Sequence, residues 1–267
     1  LEDVDVIENW YEVKEGSKDL FDEFKKFYSQ EGQPLDEYEA RMDVSEFLNM
    51  MVAESVFCNT DFPSNNIVMW RPTAHDGKWR WIAKDLDTGL GSNPQKWDLA
   101  YFNWFYDPNY DTTQIPGNVP AATLLFRHLM ELDGARNEFI DRAFVFMGDF
   151  MKPQSLNALM EEMWQEMAIE HQAMKELYDF DWEWNKHDML RARASEWYAN
   201  RVNFMYGHIA DFYNAGTPVK LDIDLANTAD ATVSLNGIPL VSDSFDGKWS
   251  AGRALAVTAE HPDGATT

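Results

Sequence analysis

Apolar and polar positions alternate along this chain with two different periods, and the change from one to the other divides it into regions. Leu20, Phe24 and Phe27 fall at helical spacing behind Ser17, a good capping residue, and Gly32 and Pro34 end that segment. Val44, Phe47, Leu48, Met51, Val52, Ser55 and Val56 trace one helical face over three turns behind Asp43. Otherwise the forty or so residues before Asp43 read as acidic and helical. Ile67-Val68-Met69-Trp70 and Trp79-Arg80-Trp81-Ile82-Ala83 then read as two strands of a hairpin turned at Asp76-Gly77. From Ala121 the helical period returns over 121–132, 135–148, 154–179 and 187–213.

Gly216-Thr217-Pro218 breaks the last helix, and short alternating segments follow at Val219, Leu221, Ile223 and Leu225, then Thr232, Val233 and Leu235. Asn236-Gly237 is a strong hairpin signal, and Leu255-Ala256-Val257 is one more candidate strand. The pattern predicts an α+β protein: a mostly helical domain over 1–215 with one short hairpin, then a small all-β module over 216–267 that truncation could have shortened. Between the hairpin and the helices, about Ser92 to Pro120 is a long loop rich in Pro, Asn, Asp and aromatic residues, which suits a lid or a segment wrapped on a core.

Composition narrows the classes. With 45% hydrophobic residues, 11 Trp, 17 Phe and 10 Tyr in 267 residues, the chain has the material for a packed core rather than a disordered tail. A formal charge of −24 repels phosphodiester backbones, so nucleic acid is excluded as a partner; a nucleotide site would need metal ions and local basic groups. The single cysteine, Cys58, cannot form an internal disulfide and reads as a buried thiol. No signal peptide and no apolar run long enough to span a bilayer is present. The chain opens at Leu1-Glu2-Asp3-Val4 without an initiator Met, which reads as a piece excised from a longer protein.

The chemistry concentrates on two loops flanking the hairpin. Asn59-Thr60-Asp61-Phe62-Pro63-Ser64-Asn65-Asn66 sets an Asp and an Asn five residues apart, and Asp85-Leu86-Asp87-Thr88-Gly89-Leu90-Gly91 begins nineteen residues after Asn66. Phosphoryl transfer asks for an Asp that orients the acceptor hydroxyl, an Asn five residues on that holds a metal, and an Asp at a strand exit that holds the metal bridging the nucleotide phosphates. On that template Asp61 is the candidate catalytic residue, and Asn66, Asp85 and Asp87 are candidate ligands of a hard cation such as Mg²⁺. The second loop is no EF-hand: that motif needs a glycine at its sixth position and a glutamate at its twelfth, whereas Gly89 stands at the fifth and Lys96 at the twelfth.

Those two loops, with Ile67-Val68-Met69-Trp70-Arg71 and Asp76-Gly77-Lys78-Trp79-Arg80-Trp81-Ile82 between them, closely resemble the core signature of the CotH kinase family. The resemblance is specific from about Asp43 to Gly91, extends to Arg136-Asn137-Glu138-Phe139-Ile140-Asp141-Arg142, and covers roughly 1–213. It implies an atypical protein kinase using ATP and Mg²⁺ or Mn²⁺ to phosphorylate Ser or Thr hydroxyls of a protein acceptor. Because the family includes spore-coat kinases and larger exported bacterial proteins, it also implies export or display at the cell surface. By the same resemblance Asp61 matches the catalytic-loop Asp, Asn66 the metal-binding Asn, Asp85 the metal-binding Asp and Asp87 the second acidic position; which of Asp85 and Asp87 is the principal ligand stays open.

Ala83-Lys84 departs from the Pro-Trp common there, and no Gly-rich loop or Val-Ala-Ile-Lys-like strand precedes Asp43. Lys14, Lys18, Lys25 and Lys26 read as solvated charges on helices or loops. The expectation is therefore a kinase C-terminal lobe whose nucleotide-clamping lobe lies upstream, inactive by itself, with the residues that hold the nucleotide unassigned. The competing reading is a non-catalytic surface or adhesion module that binds protein or glycan. A glycoside hydrolase with paired carboxylates is a weaker third. Elsewhere, Glu170-His171 with His187 lacks the spacing of a metal site, and Trp182, Trp184, Trp197, Arg191, Arg193 and Arg201 read as helix packing and ion pairing.

Overall fold

Asp43 caps α3 (Val44–Phe57) as its position predicts: the carboxylate accepts the Glu46 backbone N–H at 3.0 Å, satisfying one of the orphan donors of the first turn. Phe47, Leu48, Met51, Val52 and Val56 are buried along this helix. It ends where Cys58 turns left-handed, at φ 59°. Cys58, the single cysteine of the chain, is buried. The computed structural model describes the chain outside residues 1–2, 64, 87, 90–96, 107–118, 179–186, 226–230 and 262–267. It divides into two compact units, Leu1–Ala143 and Phe144–Thr267.

The first unit opens differently from the helical reading of the N-terminal forty residues. Val4–Glu8 (β1) and Glu12–Glu15 (β2) are strands, and with β3 (Ile67–Pro72) and β4 (Arg80–Ala83) they form a four-stranded antiparallel sheet in the order β2-β1-β3-β4. The alternation in β1 is hidden because its buried face carries Asp5 beside Ile7. Asp5 is satisfied there by the Ser17 backbone N–H, at 2.8 Å, and by Arg71 across the sheet at 3.4 Å. A buried carboxylate needs such partners.

Helix α1 (Asp19–Tyr28) forms where expected, but its buried stripe is Phe21, Phe24 and Tyr28, and Leu20 lies exposed. Ser17 caps it from one position early, its hydroxyl accepting the Asp19 N–H at 3.1 Å. The stripe packs on the hairpin, where Phe21 meets Trp79 edge to face with centroids 5.4 Å apart. After α2 (Leu35–Glu39), α3 packs on β4 through Phe47 and Trp81, centroids 4.7 Å apart. The long aromatic loop contains a short helix, α4 (Tyr101–Phe105), and its Tyr101, Phe102 and Phe105 are core residues. Phe102 and Phe126 of α5 (Val119–Glu131) both meet Phe139 of α6 (Asp133–Val145), at 5.7 and 5.2 Å. Residues 91–96 and 107–118 of that loop lie outside the described residues, as do Trp182 and Trp184.

The second unit contains the long helices α7 (Pro153–Tyr178) and α8 (His187–Phe212), preceded by a π-helical turn at Phe146–Phe150. Trp197, Tyr198 and Arg201 are buried on α8. Five strands follow: β5 (Pro218–Asp224), β6 (Thr232–Leu235), β7 (Ile238–Pro239), β8 (Ser244–Ser250) and β9 (Val257–Glu260), arranged as β5-β8 and β7-β6-β9. Asn236 and Gly237, at φ 48° and 77°, make the β6–β7 turn, a conformation these two residue types tolerate best. No helix among the described residues is long and apolar enough to cross a membrane.

Candidate active site

The register of the hairpin decides which candidate residues share one end of it. Ile67 of β3 pairs with Ala83 of β4, so Asn66, one residue before β3, and Asp85, two residues after Ala83, emerge from the same end of the hairpin. Both are left-handed, Asn66 at φ 60° and Asp85 at φ 55°. Asn and Asp are the side chains that best tolerate this conformation, and such backbone strain clusters at functional loops. Asn66 is buried and Asp85 exposed. Asp61 is half-buried on the same loop as Asn66, and its carbonyl accepts the Asn65 N–H at 3.0 Å. Asp87 lies outside the described residues.

The loop carrying Asp61 and Asn66 is clamped from three sides. The turn between β1 and β2 reaches over it: Asn9 donates from its side chain to Asn65 Oδ1 at 3.2 Å and from its backbone to the Ile67 carbonyl at 2.9 Å. The Trp10 indole N–H donates to the Pro63 carbonyl at 2.7 Å. From α4, the Tyr101 hydroxyl donates to the Asn59 carbonyl at 3.1 Å. From the second loop, the Thr88 hydroxyl donates to Asn59 Oδ1, which also accepts the Asp61 backbone N–H at 3.2 Å. Phe62 and Phe105 stack beneath the loop, centroids 6.2 Å apart.

Two charged groups near this end of the sheet were not assigned from sequence. Glu54, on the last turn of α3, is almost wholly buried, and burial pushes its carboxyl up to about 7, with the Asn59 side chain opposing the shift. Glu54 Oε2 and Asn59 Nδ2 are both buried without a hydrogen bond of normal geometry. Glu8, at the end of β1, binds two lysines, Lys14 at 2.7 Å and Lys84, the residue before Asp85. Hydrogen bonds from Lys14 and then Lys84 hold the Glu8 carboxyl below its ordinary value. Lys14 thus sits on a strand and pairs with an acid, a correction to its reading as a solvated helix or loop charge. Lys14 also binds Glu12, at 2.6 Å, so two acids and two bases leave this cluster neutral within a strongly acidic chain.

The residue types at the hairpin end, an amide and a carboxylate, suit a hard divalent cation. Among the described residues no three carboxylate, imidazole or thiol groups form a metal-holding cluster. A profile of the family described as CotH kinase protein matches residues 5–214.

The chain belongs to the CotH kinase family. No curated protein and no solved structure matches it. The match begins within β1 and ends two residues past α8, so the β1–β2 turn that grips the Asp61 loop is part of the CotH kinase match. The sequence motif marked Asp61, Asn66 and Asp85. It carried no role for Asn59, Thr88, Glu54, Glu8 or Trp10, although the Asn59-x-Asp61 spacing is that of a side chain bonding the backbone two residues on.

Proposed function

We propose that this chain carries the metal-binding and acceptor-positioning part of an atypical protein kinase that transfers the γ-phosphoryl group of ATP to Ser or Thr hydroxyls of a protein, at the cell surface or outside the cell. Asp61 accepts a hydrogen bond from the acceptor hydroxyl and aligns it for in-line attack. The Asn66 side-chain oxygen and the Asp85 carboxylate hold Mg²⁺ or Mn²⁺, with Asp87 available as a second acidic ligand. When bound, the cation neutralises charge on the transferring phosphate.

The observation that carries this reading is the hairpin register, which delivers Asn66 and Asp85 to one end of the β3–β4 pair although nineteen residues separate them. It is tested in the full-length protein by metal-dependent transfer of labelled phosphate from ATP to a Ser/Thr-containing protein. Asp61→Asn should lower the rate about 10²–10⁴-fold with the metal still bound. Asp85→Ala should abolish metal binding and transfer with it. Unchanged transfer in both variants would remove the assignment.

A further inference from the structure

Asn59 stands at a junction. It is fully buried just after α3, its N–H donates to the Glu54 carbonyl at 3.0 Å, and its own carbonyl accepts the Tyr101 hydroxyl. Its side-chain oxygen takes two donors from different loops: the Asp61 N–H from the loop of Asp61 and Asn66, and the Thr88 hydroxyl from the loop of Asp85. The second loop also docks by close approach. A Cβ added at Gly89 would lie 3.0 Å from the Leu86 carbonyl oxygen and 3.1 Å from that of Phe57, the last residue of α3. The Asp85 loop is thus fastened to the end of the helix that delivers the Asp61 loop.

We infer that Asn59 is a positioning residue that couples the two halves of the site, its side-chain oxygen setting the separation of Asp85 from Asp61 and Asn66 through the Thr88 hydroxyl. Outer-shell hydrogen bonds that orient ligands commonly govern metal affinity about as strongly as a ligand's own geometry, with losses of about 10–100-fold when removed. Thr88 and Asn59 touch neither metal nor substrate in this scheme. The inference rests on the proposed kinase reading, in which Asp85 and Asn66 are metal ligands.

The test is titration of the chain with Mn²⁺ alone, followed calorimetrically, with the melting temperature of each variant measured beside it. Thr88→Val keeps the side-chain shape and removes the donor; it should weaken Mn²⁺ binding about tenfold. Thr88→Ser restores the hydroxyl and should return the affinity to within about twofold of wild type, a rescue that general loosening of the loop would not produce. Gly89→Ala should weaken binding as Thr88→Val does, because the loop must move off α3. Wild-type affinity in Thr88→Val, alongside loss of binding in Asp85→Ala, overturns the coupling and leaves the kinase reading standing. Equal weakening in Thr88→Val and Thr88→Ser overturns it as well. A wild-type chain that does not bind Mn²⁺, or an Asp85→Ala chain that binds it normally, removes the kinase reading and this inference with it.

Discussion

At the scale of single residues, Glu54 has the clearest consequence for stability. Its carboxyl rises from an ordinary value near 4.5 to about 7 because burial penalises the charged form. In the unfolded chain it ionises near 4.5, so the folded state is unpenalised below that pH and loses stability as pH climbs from 4.5 through about 7. The difference amounts to about 3 kcal/mol once both states are ionised. Glu54→Gln should therefore match wild type near pH 4.5 and exceed it by up to about that amount at pH 8. Chemical denaturation across this range measures it, and a gap that fails to widen with pH would rule the mechanism out. Motif spacing makes Asp61, Asn66 and Asp85 legible because phosphoryl transfer constrains their order along the chain. Glu54 escapes such reading, since an acid on an apolar helix face looks like a solvated position until the burial of its neighbours is known.

Elements were legible in proportion to the clarity of their period. The helices over 119–131, 133–145, 153–178 and 187–212 lie within a few residues of their sequence-derived bounds, as does the β3–β4 hairpin. β1 was missed because Asp5 interrupts its buried face. β8 was missed because Ser244-Phe245-Asp246-Gly247-Lys248-Trp249-Ser250 puts a glycine where a strand pattern calls for a side chain. That glycine has a packing reason. A Cβ on Gly247 would fall 2.6 Å from the Tyr206 hydroxyl and 2.7 Å from the Gly148 Cα, in the π-helical turn. Gly247→Ala should destabilise the second unit by about 1–3 kcal/mol through forced overpacking, read as a lower denaturation midpoint. An unchanged midpoint would mean that this approach is looser than the geometry indicates. Asp149 ties the same turn to the segment before β8, accepting the Val241 and Ser242 N–H groups at 2.7 and 3.1 Å. Asp149→Ala removes the acceptor of both donors and should cost about 1–2 kcal/mol in the same measurement.

For the molecule as a whole, charge is the dominant property. With 46 acidic and 22 basic side chains, the folded chain carries −24 against itself, and compaction works against that repulsion. Raising NaCl from about 0.02 to about 0.5 M shortens the screening length several-fold and should raise the melting temperature. The exposed ion pairs, such as Lys18–Asp22 and Arg41–Glu37, contribute too little to reverse the sign. A melting temperature that falls with salt would place more weight on attractive pairs than on net repulsion. The first strand adds a constraint on the order in which the protein assembles. β1 leaves the ribosome ahead of its partner β3, and Val4 pairs with Pro72 and Glu8 with Val68, so it must wait while about sixty residues of chain are made. Bringing those ends together costs loop-closure entropy that the local β3–β4 hairpin does not face. In pulse-labelled refolding, amide protection should therefore reach β3 and β4 before β1, and the Asn9 and Trp10 grip on the Asp61 loop should close last.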